Sequence, residues 1–205
     1  MQASYVKLIV GVAAIAATGL ASAQFGGLGK LAGGGGSSVT ADQIVREYVA
    51  GQRNVMSADA NMLAAVGDKD ASAAAALEAK NLTDGATKDD LEASTKIQTD
   101  SSKELQDKMN DKKLVLDANA KKQFSQGILD LSKGIIAYVG MKKDISGFKP
   151  SVTSIGASAG SAVYVVKTFP DSLISLSSTL KSAITFARAN NIPVPQEATD
   201  ATSML

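Results

Sequence analysis

Apolar residues return every three or four positions along most of the chain from Ile44 onward, and this period limits what the chain can fold into more than any other feature. A strand needs alternation every second residue and rarely runs past about ten, whereas these stretches are two to three times that long and no alternating run of comparable length competes with them. In the first stretch, Ile44, Val45, Tyr48, Val49, Val55, Met56, Leu63 and Val66 fall on the helical period, with Thr40 placed to cap the start and Gly67 to end it. Gly51 sits inside this helix, where it costs about 1 kcal/mol relative to alanine, and that position predicts a close crossing or a bend.

The same reasoning gives further helices. The alanine-rich run from Ala71 to Lys80 is a strong helix former that Asp84-Gly85 stops. Thr87 with Asp90 three residues on reads as a weaker form of the capping box, opening a third helix toward Lys113 whose apolar residues Leu91, Ile97, Leu105 and Met109 make only a narrow stripe. Glu92 to Lys96 and Glu104 to Lys108 have the favoured i, i+4 order, with Lys103 to Asp107 reversed, so most of this helix is expected to face water. Between Asp68 and Lys122 lie 12 acids and 10 bases, more than half of all the charges, which predicts a projecting polar hairpin above a more apolar base.

A fourth helix is expected from about Ala118 to Lys143, capped by Asp117, with Phe124, Ile128, Leu129, Leu131, Ile135, Ile136, Val139 and Met141 inward; Gly147 and Pro150 break it. The uncharged segment 151–166 carries Gly156 and Gly160 four apart among serines and alanines. It is shorter than the apolar run of about 20 residues in which a GxxxG pattern signals membrane-helix association, and Lys149 and Lys167 flank it. Gly156 and Gly160 are therefore read as a close-packing or interaction face of a buried helix. Pro170 and Asp171 suit the first turn of a last helix, in which Leu173, Ile174, Leu176, Leu180, Ile184 and Phe186 face inward until Asn190-Asn191. The fold expected is all-α, an antiparallel bundle of about five to six helices over residues 39–192, followed by an extended tail at 193–205.

Ahead of the bundle the composition changes twice. Lys7 is followed by an apolar, small-residue run from Leu8 to Leu20 and then Ala21-Ser22-Ala23, the pattern of a cleavable secretory signal at residues 1–23. The run is short of the roughly 20 residues that span a bilayer, so no membrane span is expected in the mature chain. Residues 24–38 hold so much glycine that a flexible leader is expected, with Phe25, Leu28 and Leu31 as its apolar members.

Function is bounded mainly by missing residue types. The chain has neither histidine nor cysteine, which removes the commonest general base, the commonest metal ligands and both Ser-His-Asp and Cys-His chemistry. Stability outside the cytoplasm must then come from packing without disulfides. Past the signal, acids and bases balance to a formal charge of zero, which gives no basic excess for nucleic acid. No cofactor, metal site or catalytic residue is assigned. Ser178 and Lys181 have Ser-x-x-Lys spacing but lie in a repetitive Ser-rich amphipathic run, and the acidic pairs Asp68/Asp70 and Asp89/Asp90 read as acids of helix N-termini. The expectation is a periplasmic or secreted, non-catalytic helical binding or structural protein of a bacterial envelope, with an envelope protein or lipid as partner. The alternatives are a carrier of a small apolar ligand, for which small residues between helices leave room, and a subunit of an extracellular assembly.

Overall fold

A computed structural model describes residues 39–149 and 158–205 of the 205-residue chain. Helix accounts for 82% of them and none is in a strand. The elements are α1 (Ala41–Ala65), α2 (Lys69–Asn81), α3 (Lys88–Met109), α4 (Ala118–Gly147), α5 (Ala159–Ala189) and α6 (Gln196–Met204). The expected signal at 1–23 and the leader with Phe25, Leu28 and Leu31 lie outside the described residues.

The helices begin where side-chain oxygens stand ready to take up unpaired backbone N–H groups. Thr40 accepts from the Gln43 amide at 3.2 Å, Asp68 from Ala71 at 3.3 Å and Asp117 from Ala120 at 2.8 Å. At α3 the capping box is complete: Thr87 Oγ1 accepts from the Asp90 amide at 3.2 Å while Asp90 Oδ2 accepts from the Thr87 amide at 2.8 Å. The acids at positions 68 and 90 thus serve helix N-termini. Two helices end in the left-handed turn that satisfies their last carbonyls. Gly67 takes φ +86°, with Asp68 N–H donating to Leu63 O at 2.8 Å. Asn191 takes φ 52°, with Ile192 N–H donating to Ala187 O at 2.9 Å.

Pairings along the helices fix their directions. Gly51 meets Gly134 and Gly127 meets Ala58 and Met62, so α1 and α4 are antiparallel. Tyr138 packs on Phe169 and Phe124 on Phe186, which makes α4 and α5 antiparallel as well. Gln52 reaches Ser94, and Lys108 reaches Asp68, so α3 runs parallel to α1. The bundle therefore alternates up and down through five helices, with α1 touching each of the other four. Its buried positions include Val45, Val49, Val55 and Leu63, and the largest interface in the molecule is that of α1 with α4.

That interface is close because it is built on glycine. A Cβ at Gly51 would clash with Cδ1 and Cε1 on the edge of the Tyr138 ring, one at Gly134 would sit 2.8 Å from Val55 Cγ2, and one at Gly127 would meet Met62 and lie 3.0 Å from the Ala58 carbonyl oxygen. Gly127 and Gly134 are seven residues apart, as are Gly51 and Ala58, so the small residues recur on one face and let the two backbones approach. Gly51 is thus a close crossing.

Four features differ from the expectation. Pro170 does not open a new helix; it lies inside α5, which runs unbroken from Ala159 to Ala189. The buried stripe Ala162, Val165, Phe169, Leu173, Leu176, Leu180, Ala183 and Ala187 keeps its phase through the proline, and continued packing outweighs the one backbone hydrogen bond that proline removes. Ile174 points outward, 70% exposed. The tail is not extended throughout: α6 forms after Pro195 and buries Ala198 and Ala201, and Ser125 Oγ donates to Pro193 O at 2.8 Å, tying its approach to α4. Finally, the ion pairs on α3 are Lys88–Glu92 at 2.8 Å and Lys96–Asp100 at 2.6 Å, while Lys108 leaves the helix to reach Asp68 at 3.6 Å.

Candidate functional site

Gly156, one of the two glycines singled out in the sequence, lies outside the described residues. Gly160, in the first turn of α5, is exposed, and a Cβ on it would meet none of the described residues within 4 Å. Among the described residues, close packing between helices falls on Gly51, Gly127 and Gly134. Ser178 and Lys181 sit one turn apart on the exposed face of α5, lining an open groove of about 410 Å³ with Lys142, Leu173, Ile174, Ser177 and Leu205. A second open groove, of about 570 Å³, runs between the end of α3 and the last turns of α5.

The chemically unusual part of the molecule is its interior. The face of α3 that turns inward is Leu91, Ser94, Gln98, Ser101, Ser102 and Leu105. The spacing is that of a helical seam, but four of the six are polar. Ile97 and Met109, expected to be in that stripe, are only half-buried. Opposite this seam α1 places Gln52, which spans two helices: its Nε2 donates to Ser94 Oγ at 3.2 Å, and its Oε1 accepts from the Tyr138 hydroxyl at 2.5 Å. Both of its polar ends are thereby satisfied without water, as burial demands.

Tyr138 stacks on Tyr48, ring centroids 5.1 Å apart and planes 14° from parallel, and tilts against Phe169 at 5.7 Å. Burial pushes the Tyr138 hydroxyl well above its ordinary ionisation range, and the adjacent Tyr48 adds to this. Burial likewise raises Tyr48. Thr95, Tyr138 and Ser172 are grouped about the Tyr48 hydroxyl, yet none is placed to complete a hydrogen bond with it.

Asp59 is the sharpest anomaly. It is 1% exposed, and neither carboxyl oxygen has a hydrogen-bond partner. Burial alone drives its ionisation well above the usual carboxylate range, since the charged form has neither counter-ion nor donor to replace water. It stands seven residues after Gln52, hence on the same face of α1, two turns further along. With Gln52 level with Ser94 and Asp68 near Lys108, Asp59 comes level with Ser101 and Ser102 of α3. The Ser102 hydroxyl is a further buried group without a partner.

Sequence reasoning missed this layer. The signal that pointed to it is the spacing of Ser94, Gln98 and Ser101 between Leu91 and Leu105, which continues a buried stripe through small polar residues. Among the described residues, no three acidic side chains gather into a set able to hold a metal ion, and no helix is long and apolar enough to cross a membrane. No family model, curated protein or solved structure matches the chain.

Proposed function

We propose that this chain is an exported, non-catalytic helical protein of the cell envelope that works by binding an envelope protein or lipid at its surface. The observation that carries this reading is how the bundle interior is filled. The glycines that open space between α1 and α4 are occupied by Tyr138, Met62 and Val55, and the two described concavities are open grooves. A carrier of an apolar ligand is less well supported for the same reason, because such ligands sit in concave sites that enclose most of their surface. The residues in the α5 groove favour surface contact: Leu173, Ile174 and Leu205 lie beside Ser177 and Ser178, with only Lys142 and Lys181 charged.

The export part rests on residues 1–23, and the absence of histidine and cysteine supports a role without acid-base or thiol chemistry. The test is retention of the mature chain, starting at Gln24, on envelope fractions of its own host, compared with retention on protein-free vesicles made from the lipids of those fractions. Retention on the fractions alone assigns a protein partner, and retention on both assigns lipid. Passage through both without retention refutes the reading.

A further inference from the structure

Asp59 sets a problem that the binding role does not address. A carboxyl with both oxygens buried and unpartnered opposes folding wherever it is ionised, and here it lies in α1, which packs against α2, α3, α4 and α5. The neighbours on its two sides differ in how firmly they are held. On the α4 side the glycine crossing interlocks the backbones. On the α3 side the first half of the helix is anchored. Leu91 is fully buried and Ser94 bonds Gln52. In the connection before α3, the Arg53 guanidinium donates to Leu82 O at 2.8 Å and Ser161 Oγ donates to Ala86 O at 3.0 Å.

The second half of α3, residues 98–109, makes no side-chain hydrogen bond to another helix among the described residues. Its buried members are Gln98, Ser101, Ser102 and Leu105, of which only the last is apolar, and Ser102 makes no hydrogen bond. Its ion pair to the α2 start, Lys108–Asp68, is long at 3.6 Å and only partly buried, and so contributes little. The loop beyond leaves Val115 in water but buries Leu116, with Met109 and Leu114 packed against the core on either side of its start. A segment whose buried face is mostly polar, beside an uncompensated acid, is the part of a fold that opens first.

We propose that the second half of α3 is a lid whose closure over α1 requires the Asp59 carboxyl to carry its proton. Loss of that proton lifts residues 98–109 about the anchored first half and admits water to the Asp59 layer. No charged group on the surrounding helices offsets this. Asp130 and Lys133 of α4 pair with each other at 3.8 Å, and Asp130 is further bonded by Asn61 and Gln126. Lys108 of α3 faces Asp68, Glu78 of α2 has Asp90 as its charged neighbour, and Lys181 of α5 lies at the groove. Tyr48 and Tyr138 stay neutral throughout.

Linkage sets the sign. In the open state Asp59 returns toward the ordinary carboxylate value of about 3.9, so between there and its raised closed-state value the opening constant grows tenfold per pH unit. Hydrogen exchange read as protection factors, which remove the intrinsic pH dependence of the chemistry, tests this on the full mature chain at pH 5, 6 and 7. Protection of residues 98–109 should fall at each step up in pH, by at most about tenfold per unit, while α4 and the first half of α3 hold theirs. In Asp59→Asn the fall should vanish, with protection kept at the pH 5 level, and Asp59→Leu should behave alike. A fall that persists in both variants overturns the proposal, because Glu47, Glu78 and Asp130, also raised by burial, would then be its source. A fall shared equally by α1, α4 and α5 also overturns it, because the whole bundle would then be unfolding and no lid would exist.

Discussion

Replacing Gly51 with alanine sets two effects of known sign against each other. Alanine is favoured over glycine inside a helix by about 1 kcal/mol, so an exposed glycine in this bundle should gain that much on substitution. At Gly51 the new methyl would clash with the edge of the Tyr138 ring. The ring has little freedom to retreat, being stacked on Tyr48, tilted on Phe169 and bonded through its hydroxyl to Gln52. Overpacking of this kind costs about 1–3 kcal/mol. Displacing the ring adds about 0.5–1.5 kcal/mol for the aromatic pair and about 1 kcal/mol for a buried hydrogen bond. Setting the propensity gain against these leaves Gly51→Ala less stable by roughly 2–4 kcal/mol. Gly140 supplies the control, since it lies in α4, is exposed, and a Cβ there would meet nothing within 4 Å; Gly140→Ala should gain up to about 1 kcal/mol. Urea unfolding followed by circular dichroism, with both variants keeping the parental m-value, measures the gap, and in thermal melts Gly51→Ala should fall by roughly 5–15 °C. If Gly51→Ala unfolds at the parental midpoint or above it, the close crossing of α1 and α4 is not what glycine serves at that position.

Pro170 lies inside α5 on its exposed side, so Pro170→Ala restores a backbone hydrogen bond without touching the core and should stabilise by about 1–3 kcal/mol; an unchanged melting temperature would mean that the helix has already relaxed around the ring. Asp117→Ala removes the acceptor that the Ala120 amide uses at the start of α4 and should cost about 0.5–2 kcal/mol, read as a lower urea midpoint with unchanged slope. Burial raises Asp59 well above its ordinary carboxylate value and raises Asp130 and Glu47 as well, so the stability each contributes is complete below its unfolded value and is lost as pH climbs through the folded one. Only the exposed Asp90, lowered by its bonds to Thr87, works in the opposite sense. The urea midpoint should therefore be higher at pH 5 than at pH 8, and an equal or reversed order would contradict the burial of these acids.

The helices were legible because each rests on signals that act within a turn or two. Thr40, Thr87 and Asp117 cap the helices they were expected to cap, Gly67 and Asn191 end theirs, and Gly51 marks the crossing that its position inside a helix suggested. Where the reading departed from the structure, a local rule met a longer-range force. Pro170 reads as a helix start because proline favours a first turn, but the buried stripe running from Ala162 to Ala187 decides the matter, and its phase is visible only once Ser172 and Thr179 are counted as inward positions. The α6 helix escaped notice because alanine alone carries its buried face.

The candidate site was illegible for a related reason. Asp59 occupies a position that periodicity marks as facing inward, seven residues after Gln52, yet an acid there reads as an exception to burial and is assigned to water. The same holds along α3, where Ser94, Gln98, Ser101 and Ser102 look solvent-facing one at a time and form a buried seam together. Which polar residues a helix buries depends on how many neighbours surround it, and α1 has four. On the faces that α1 turns toward these neighbours, a polar residue must find a partner or remain without one, while Asp42 and Arg46 lie on its outer face. Gln52 finds two, Ser94 and Tyr138, and closes the bundle at its level. Asp59, two turns on, finds none, and the layer it shares with Ser102 is where the packing of this bundle yields most readily to a change of charge.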